Sequence, residues 1–277
     1  QEPIDNSVRR ILTLKQKYGI LDMDTSGHDV EEQVAMASRV VGSAEHHMAE
    51  MDVARDYVTL LKNDHALPIA GTGKRVVILG RLQSENAVPA YAIQKLQSEG
   101  VIDKDAYVNN LATGQSSGSP DARTTITLNY YAANSASMHY SDEAKEAIAK
   151  ADVVVCFSTC WGLGNIQPTN AYDQCVRNAL SEAHSSGAKL VLISNNLPYD
   201  TVRYSDADAL MCCYLSTGMG VNPAPREDGG AEAYDASCIA ALESVFGAFS
   251  PTGTLPVHVP ALTQEEDGSV SYDLQNN

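Results

Sequence analysis

The chain has 277 residues, 44% hydrophobic and 19% charged, an ordinary globular composition with enough apolar side chains for a sizeable core. Its 19 basic and 35 acidic side chains leave a net charge of −16. Such a surface repels phosphate backbones and anionic headgroups, which excludes nucleic acid and membrane surfaces as expected partners.

No apolar run approaches the ~20 residues needed to span a bilayer. Starting at Gln1, without an initiator Met or a secretory leader, the sequence is expected to be a processed or cut product. Aromatic residues make up only 6%, so the core must come from Val, Leu, Ile and Ala. That choice favours an α/β protein with buried parallel strands, which read as short aliphatic runs.

In chain order, the first ~20 residues have helical spacing, with Asp5, Asn6 and Ser7 as caps and Gly19 as the stop. The polar stretch 22–29 reads as a linker. Asp29 caps a second helix, and a third runs from Ser43 to about Tyr57. Residues 58–61 have strand character. An alternation follows: strand 75–80 (RVVILG), helix 85–99, strand 124–130 (TTITLNY), helix 141–150 and strand 152–158 (DVVVCFS). Helix 169–185, strand 189–194 (KLVLIS), strand 209–215 (ALMCCYL) and helix 234–246 complete it. Strands alternating with helices imply right-handed crossovers. The expected fold is a three-layer α/β/α sandwich around a mainly parallel sheet of five to six strands. Ligands of such sheets gather beyond the C-terminal strand ends. The segments at 80–84, 130–134, 158–165, 195–199 and 216–220 are therefore the places to look.

Few motifs carry chemistry. Gly71-x-Gly73-Lys74 precedes its strand and lacks the full spacing of a phosphate loop, so it reads as a turn. Gly114-x-Ser116-x-Gly118 has the letters of a nucleophile elbow but sits in a Gly/Ser loop followed by Pro120. His46 and His47 are adjacent on a helix and diverge by about 100°, which is poor for sharing a metal. Cys156, Cys160, Cys175, Cys212, Cys213 and Cys238 form no zinc spacing and no dense disulfide framework. Free thiols in a reducing, cytoplasmic-type compartment are expected, with a secreted or cell-surface location as the alternative. Carboxylates near strand ends are Glu85, Asp173, Glu227 and Asp228, and none forms a poised pair of the kind glycoside hydrolysis needs.

Three segments, in this order, resemble family 3 glycoside hydrolases: 8–21 (VRRILTLKQKYGIL), 54–69 (ARDYVTLLKNDHALPI) and 250–260 (SPTGTLPVHVP). The first is similar to the family's last barrel helix and interdomain linker, the second to the opening of its second domain, the third to that domain's closing Pro-x-Gly-x-Leu-Pro-Val-x-x-Pro. The resemblance implies that residues 1–28 end a barrel domain and its linker, and that 29–277 form the C-terminal α/β sandwich. Gly42 to His47 and 195–200 (NNLPYD) are similar to the β-N-acetylglucosaminidase branch. The β-glucosidase branch usually carries an acid/base Glu beyond a strand resembling 152–158; here 158–165 reads STCWGLGN, with no carboxylate.

The resemblance thus implies the second domain of a retaining enzyme acting on β-linked N-acetylglucosaminides of cell-wall or chitin type. Both catalytic groups would lie in the barrel, no cofactor or metal is implied, and this chain alone is expected to be inactive. Its partners would be the barrel and a carbohydrate. The alternatives are a β-glucosidase or β-xylosidase type of second domain, with Glu227 as an unconventional acid, and a non-catalytic glycan- or partner-binding module. Ser158, Thr159, Trp161, Asn165, Asn195 and Asn196 are the expected substrate-facing or interdomain residues. Trp161, the single Trp, is expected to be partly exposed on its glycine loop. Leu255, Val257 and Val259 are expected to form a half-buried edge strand.

Overall fold

A computed structural model describes residues 2–23, 29–80, 87–130, 132–134, 137–214 and 235–274. They fall into two compact units, 1–41 and 42–277. The first unit holds α1 (Glu2–Lys17), a short 3-10 turn at Ile20–Asp22, and α2 (Val30–Val40). Helix α1 starts earlier than its polar residues suggest: Ser7 is already inside it, its hydroxyl donating to the Pro3 carbonyl (2.9 Å). Asp29 caps α2 as expected, accepting from the Glu31 N–H. Neither helix buries a residue, and Ile4, Val8, Ile11 and Leu12 form an exposed apolar stripe at helical spacing along α1.

The second unit opens with α3 (Ala44–Tyr57), capped by Ser43. There follow β1 (Thr59–Asn63), β2 (Arg75–Gly80), α4 (Ala87–Ser98), β3 (Tyr107–Asn110), β4 (Gln115–Ser117) and β5 (Thr125–Tyr130). A small hairpin, β6 (Ala132–Asn134) with β7 (Ser137–His139), leads to α5 (Asp142–Ile148) and β8 (Val153–Cys160). Then come α6 (Ala171–Ser186), β9 (Lys189–Asn196), β10 (Ala209–Cys212), α7 (Ala236–Val245), and a final hairpin, β11 (Leu262–Gln264) and β12 (Val270–Tyr272).

The main sheet has the order β1-β10-β9-β8-β2-β5-β3-β4. Its six inner strands are parallel, and β1 and β4 pair antiparallel at the two edges. The mainly parallel α/β/α expectation holds. The sheet is wider than expected because β3 (YVNN) and β4 (QSS) are polar and lie at an edge, where no aliphatic run is needed. The aliphatic runs are β2, β8, β9 and β10, with β8 buried at every position.

Alternate strand residues feed two cores. Val76, Ile78, Val155, Phe157 and Ile193 pack with α3, α4 and α7. Val77, Leu79, Val154, Cys156 and Leu192 pack with α5 and α6 on the other face. Both layers of helices are thus fixed by period-two alternation along β2, β8 and β9. On the first face Glu243 of α7 is buried and ties three helices together. It accepts from Arg55 of α3 (2.8 and 3.2 Å) and from Lys95 of α4 (2.6 Å).

One expectation holds and another changes. Ser116 is no elbow nucleophile: it lies on β4, a short edge strand where a loop was expected, paired with Asn109 and not at the strand-to-helix turn that an elbow requires. Residues 250–260 form no strand, and Val257 is exposed while Leu255 is only half-buried. Pro256 and Pro260 withdraw two ladder donors, so alternation there lacks a partner strand to pair with. A backbone bond from the Gly253 N–H to the Val58 carbonyl (3.0 Å) ties the segment to the start of β1 instead.

Gly71 has no room for a side chain, since a Cβ there would sit 1.9 Å from the Val101 carbonyl oxygen. The Gly73 N–H donates to the Thr124 hydroxyl (2.8 Å), and Lys74 accepts from Thr125 N–H. The Gly71–Lys74 sequence is a packed turn at the N-terminal end of the sheet, opposite the end where ligands collect.

Candidate functional site

The crossover after β2 runs through α4 on one face, whereas α5 and α6 lie on the other face. Strand β2 is therefore flanked on both sides, by β5 and β8, by strands whose next helices cover the opposite face. This reversal opens a crevice beyond the C-terminal strand ends. It is lined by Gly80, Val88 and Pro89 of the β2–α4 side, by Phe157 and Asn195, and by Asp235 and Cys238 at the start of α7. Its cavity volume is only about 10 Å³, room for about one water and far below the ~300–1,000 Å³ of self-sufficient ligand pockets. The described residues offer a wall at this end, not an enclosed site.

The residues expected to face substrate separate into two layers. Trp161 follows β8 directly and is 44% exposed, as its glycine-flanked position implies. Asn165 holds it, the side-chain Oδ1 accepting from the Trp161 N–H (2.9 Å). Asn196 ends β9 with a left-handed backbone (φ 77°), a conformation Asn tolerates better than most residues. Leu197 follows, 39% exposed, its N–H donating to the Cys160 carbonyl (3.1 Å), so Leu197 and Trp161 leave the sheet side by side. Sequence reasoning missed Leu197, because a single Leu before a Pro carries no periodic signal.

Ser158, Thr159 and Asn195, expected on the facing surface, lie beneath it and are buried. Asn195 Oδ1 accepts from the thiols of Cys213 (2.7 Å) and Cys238 (3.4 Å), which fixes α7 and the end of β10 against β9. The Thr159 hydroxyl has no hydrogen-bond partner among the described residues. Ser158 points to the other face, where its hydroxyl donates to Asp200 (2.6 Å).

Among the described residues, Asp200 is the most buried carboxylate of this end, and it was not singled out from sequence, since Pro-Tyr-Asp reads as an ordinary turn. It lies in a 3-10 turn after β9 and accepts from Ser158 and from Ser194 (2.5 Å), two serines in direct register on β8 and β9. Burial pushes its pKa up to about 6, against the lowering effect of the two hydroxyls. Among the described residues, the charge of Asp200 raises the pKa of Cys160, Cys212, Tyr204 and Tyr272.

A raised folded pKa means that the stability linked to this group is fully present below the unfolded value. It is lost as pH rises through the folded value. Comparing the chain with Asp200→Asn by urea unfolding should show their stability difference shifting by about 2 kcal/mol between pH 4.5 and 7.5, the native chain losing ground as pH rises. A difference that does not change with pH would mean Asp200 is ionised throughout.

The remaining carboxylates next to the β8 and β9 ends are engaged. Asp173 is buried in α6 and takes a two-point bond from Arg203 (2.7 and 2.8 Å), as a structural acid would. Asp235 is buried and caps α7 through the Cys238 N–H (3.0 Å). Glu85, Glu227 and Asp228 lie outside the described residues. All six cysteines are buried thiols, and burial pushes the Cys160 thiol up to about 11 and the Cys175 thiol up to about 12. Among the described residues no group of three or more His, Cys, Asp or Glu side chains is placed to hold a metal ion. No described helix is long and apolar enough to cross a membrane.

No curated protein matches the sequence significantly. Among solved structures, a β-glucosidase from Listeria innocua in complex with glucose aligns with a TM-score of 0.54 and 15% identity. It covers 92% of this chain and 32% of that one. A fungal multi-domain family 3 β-N-acetylglucosaminidase, which carries a GCN5-related glucosamine N-acetyltransferase region, aligns with a TM-score of 0.51 and 17% identity. It covers 94% of this chain and 24% of that one. At these identities the likeness is one of fold, and the chain spans about a quarter to a third of those longer proteins. The family model for the glycosyl hydrolase family 3 C-terminal domain matches residues 58–276, that is, β1 through the final hairpin. The chain belongs to glycosyl hydrolase family 3, and residues 58–276 are its C-terminal domain.

Proposed function

We propose that this chain is the second domain of a retaining family 3 enzyme that hydrolyses β-linked N-acetylglucosaminides, and that it supplies a wall of the sugar site but neither catalytic group. One observation carries the proposal. The loop after β8 presents an exposed Trp161 and no Asp or Glu, while the carboxylates behind it, Asp173 and Asp200, are buried and engaged. Retaining hydrolysis needs two carboxyl-type groups about 5 Å apart across the scissile bond. A surface of Trp161, Leu197 and half-buried amides can stack on or orient a sugar, but it cannot protonate a leaving oxygen. The exposed apolar stripe of α1 fits a helix that completes a barrel domain, the partner this function requires.

The alternative of a β-glucosidase type domain with Glu227 as its acid is separated by one experiment on the whole enzyme with its barrel. Aryl N-acetyl-β-glucosaminide should be turned over in preference to aryl β-glucoside, and Glu227→Gln should leave kcat within about threefold, since a lost general acid costs about 10²–10⁴-fold. A loss of that size restored by azide would assign the acid to this domain. The 277-residue chain alone should hydrolyse neither substrate. Turnover by it that disappears on substitution of one Asp or Glu in this chain would overturn the proposal.

A further inference from the structure

The final hairpin, β11–β12, folds back onto the loop that carries Trp161. Val270 of β12 is buried with Cys160 and Ile166, and Leu163, Tyr199, Leu262 and Tyr272 pack around them. Gln167 is a two-point polar link between hairpin and loop, beside a side-chain hydrogen bond between Tyr272 of β12 and Cys160 at the end of β8. The Gln167 Oε1 accepts from the Val270 N–H (3.0 Å) and its Nε2 donates to the Val270 carbonyl (2.8 Å). The side-chain amide thus pairs with a backbone residue at two points, as a neighbouring strand would, which fixes orientation as well as distance.

The same Nε2 lies 3.2 Å from the Leu163 carbonyl, the first residue of the 3-10 turn Leu163–Ile166. Inside that turn Asn165 accepts from the Trp161 N–H, and its own N–H donates to Gly162 (3.1 Å). A continuous path therefore runs from the Val270 backbone through Gln167, Leu163 and Asn165 to the Trp161 backbone. The hairpin also reaches the neighbouring loop, where the Tyr272 hydroxyl donates to the Tyr199 carbonyl (3.4 Å) and the two rings lie 5.9 Å apart.

We propose that Gln167 is a positioning residue: it couples the C-terminal hairpin to the β8 loop and so sets the orientation of Trp161 on the exposed surface. The inference rests on the reading of that surface as substrate- or barrel-facing. A loop that begins with two glycines in four residues, Gly162 and Gly164, has little stiffness of its own. A Trp that is to stack on a planar face of a sugar needs its orientation fixed before binding, or the ordering cost falls on the affinity.

Trp161 is the sole Trp, so its fluorescence in the 277-residue chain reports on the loop directly. Gln167→Met keeps the volume and removes all three polar contacts. It should raise the acrylamide quenching constant of Trp161 about twofold and lower its anisotropy, well below the unfolding temperature, as local order is lost without global unfolding. Gln174→Met is the control. Gln174 donates to the Pro168 carbonyl of the same loop (3.1 Å) but does not touch the hairpin, so this variant should leave Trp161 unchanged. Equal effects of the two substitutions, or none from Gln167→Met, would overturn the coupling.

Native-state hydrogen exchange on the unsubstituted chain tests it without any variant. The Trp161 and Val270 amides should open together, with the same denaturant dependence, and independent opening would overturn it. Trp161→Ala in the whole enzyme addresses the underlying reading separately. If KM for the aryl glycoside does not rise, that surface does not face substrate, whereas the fluorescence and exchange results bear on Gln167 alone.

Discussion

Glu243→Ala should destabilise the chain by about 3–5 kcal/mol in equilibrium urea unfolding, the cost of breaking a buried charge cluster by removing one partner. The carboxylate is buried at the centre of three helices, whereas Arg55 and Lys95 keep 35% and 22% of their side chains in solvent. Burial alone would raise the Glu243 pKa, but the two cations outweigh it and hold the carboxyl below its ordinary range. Its stabilisation is therefore complete above the unfolded pKa and is lost as pH falls through the folded one. This is the opposite sign to Asp200, where burial outweighs the two serine hydroxyls and raises the pKa. Removing the acid leaves two half-buried cations facing each other beside a new cavity. The triple change Arg55→Met, Lys95→Met, Glu243→Leu should recover most of the loss, because an apolar cluster of similar volume needs no desolvated charges. A Glu243→Ala chain within 1 kcal/mol of the parent would show that the cations turn to solvent at little cost.

The inner sheet was legible because β2, β8 and β9 are aliphatic runs with helical patterns between them. Strands β3 and β4 were not, since half-buried and exposed edge positions accept Asn, Gln and Ser. The facing end of the sheet could be located from topology, and Trp161 from its glycine neighbours. Which of Ser158 and Thr159 faces which core could not, because successive strand residues point to opposite faces and a sequence does not say which face a crossover covers. Ser158 went to the Asp200 side for that reason. Gln167 was invisible for another: its partner Val270 is 103 residues away, and a Gln in a loop carries no pattern.

Gly253→Ala is expected to cost about 3 kcal/mol, at the upper end of what inserting a carbon into a packed site costs. The residue belongs to the closing segment 250–260, whose resemblance to the family was read from its letters, and the structure supplies the physical reason for one of them. Gly253 is not in a left-handed conformation; what it lacks is space. A Cβ there would lie 2.4 Å from the Tyr57 carbonyl oxygen and 2.7 Å from the Thr59 hydroxyl. The oxygen belongs to the backbone, so the obstacle cannot rotate away. Relief requires breaking the Gly253 N–H bond to Val58, which joins the segment to the start of β1.

The effect of Gly253→Ala should then travel to the facing end of the sheet. Thr59 pairs with Cys212 at the end of β10, the Tyr57 ring meets Tyr214 edge-on (6.1 Å), and the Tyr57 hydroxyl bonds Ser237 of α7 (2.6 Å). Displacing Tyr57 loosens α7 and β10 together. In the same experiment Leu255→Ala should cost less than Gly253→Ala, because Leu255 is only half-buried and its removal leaves no closed cavity. The reverse order of the two costs, measured by urea unfolding, would mean that this segment is held by its apolar side chains and not by the close approach of its backbone to Tyr57.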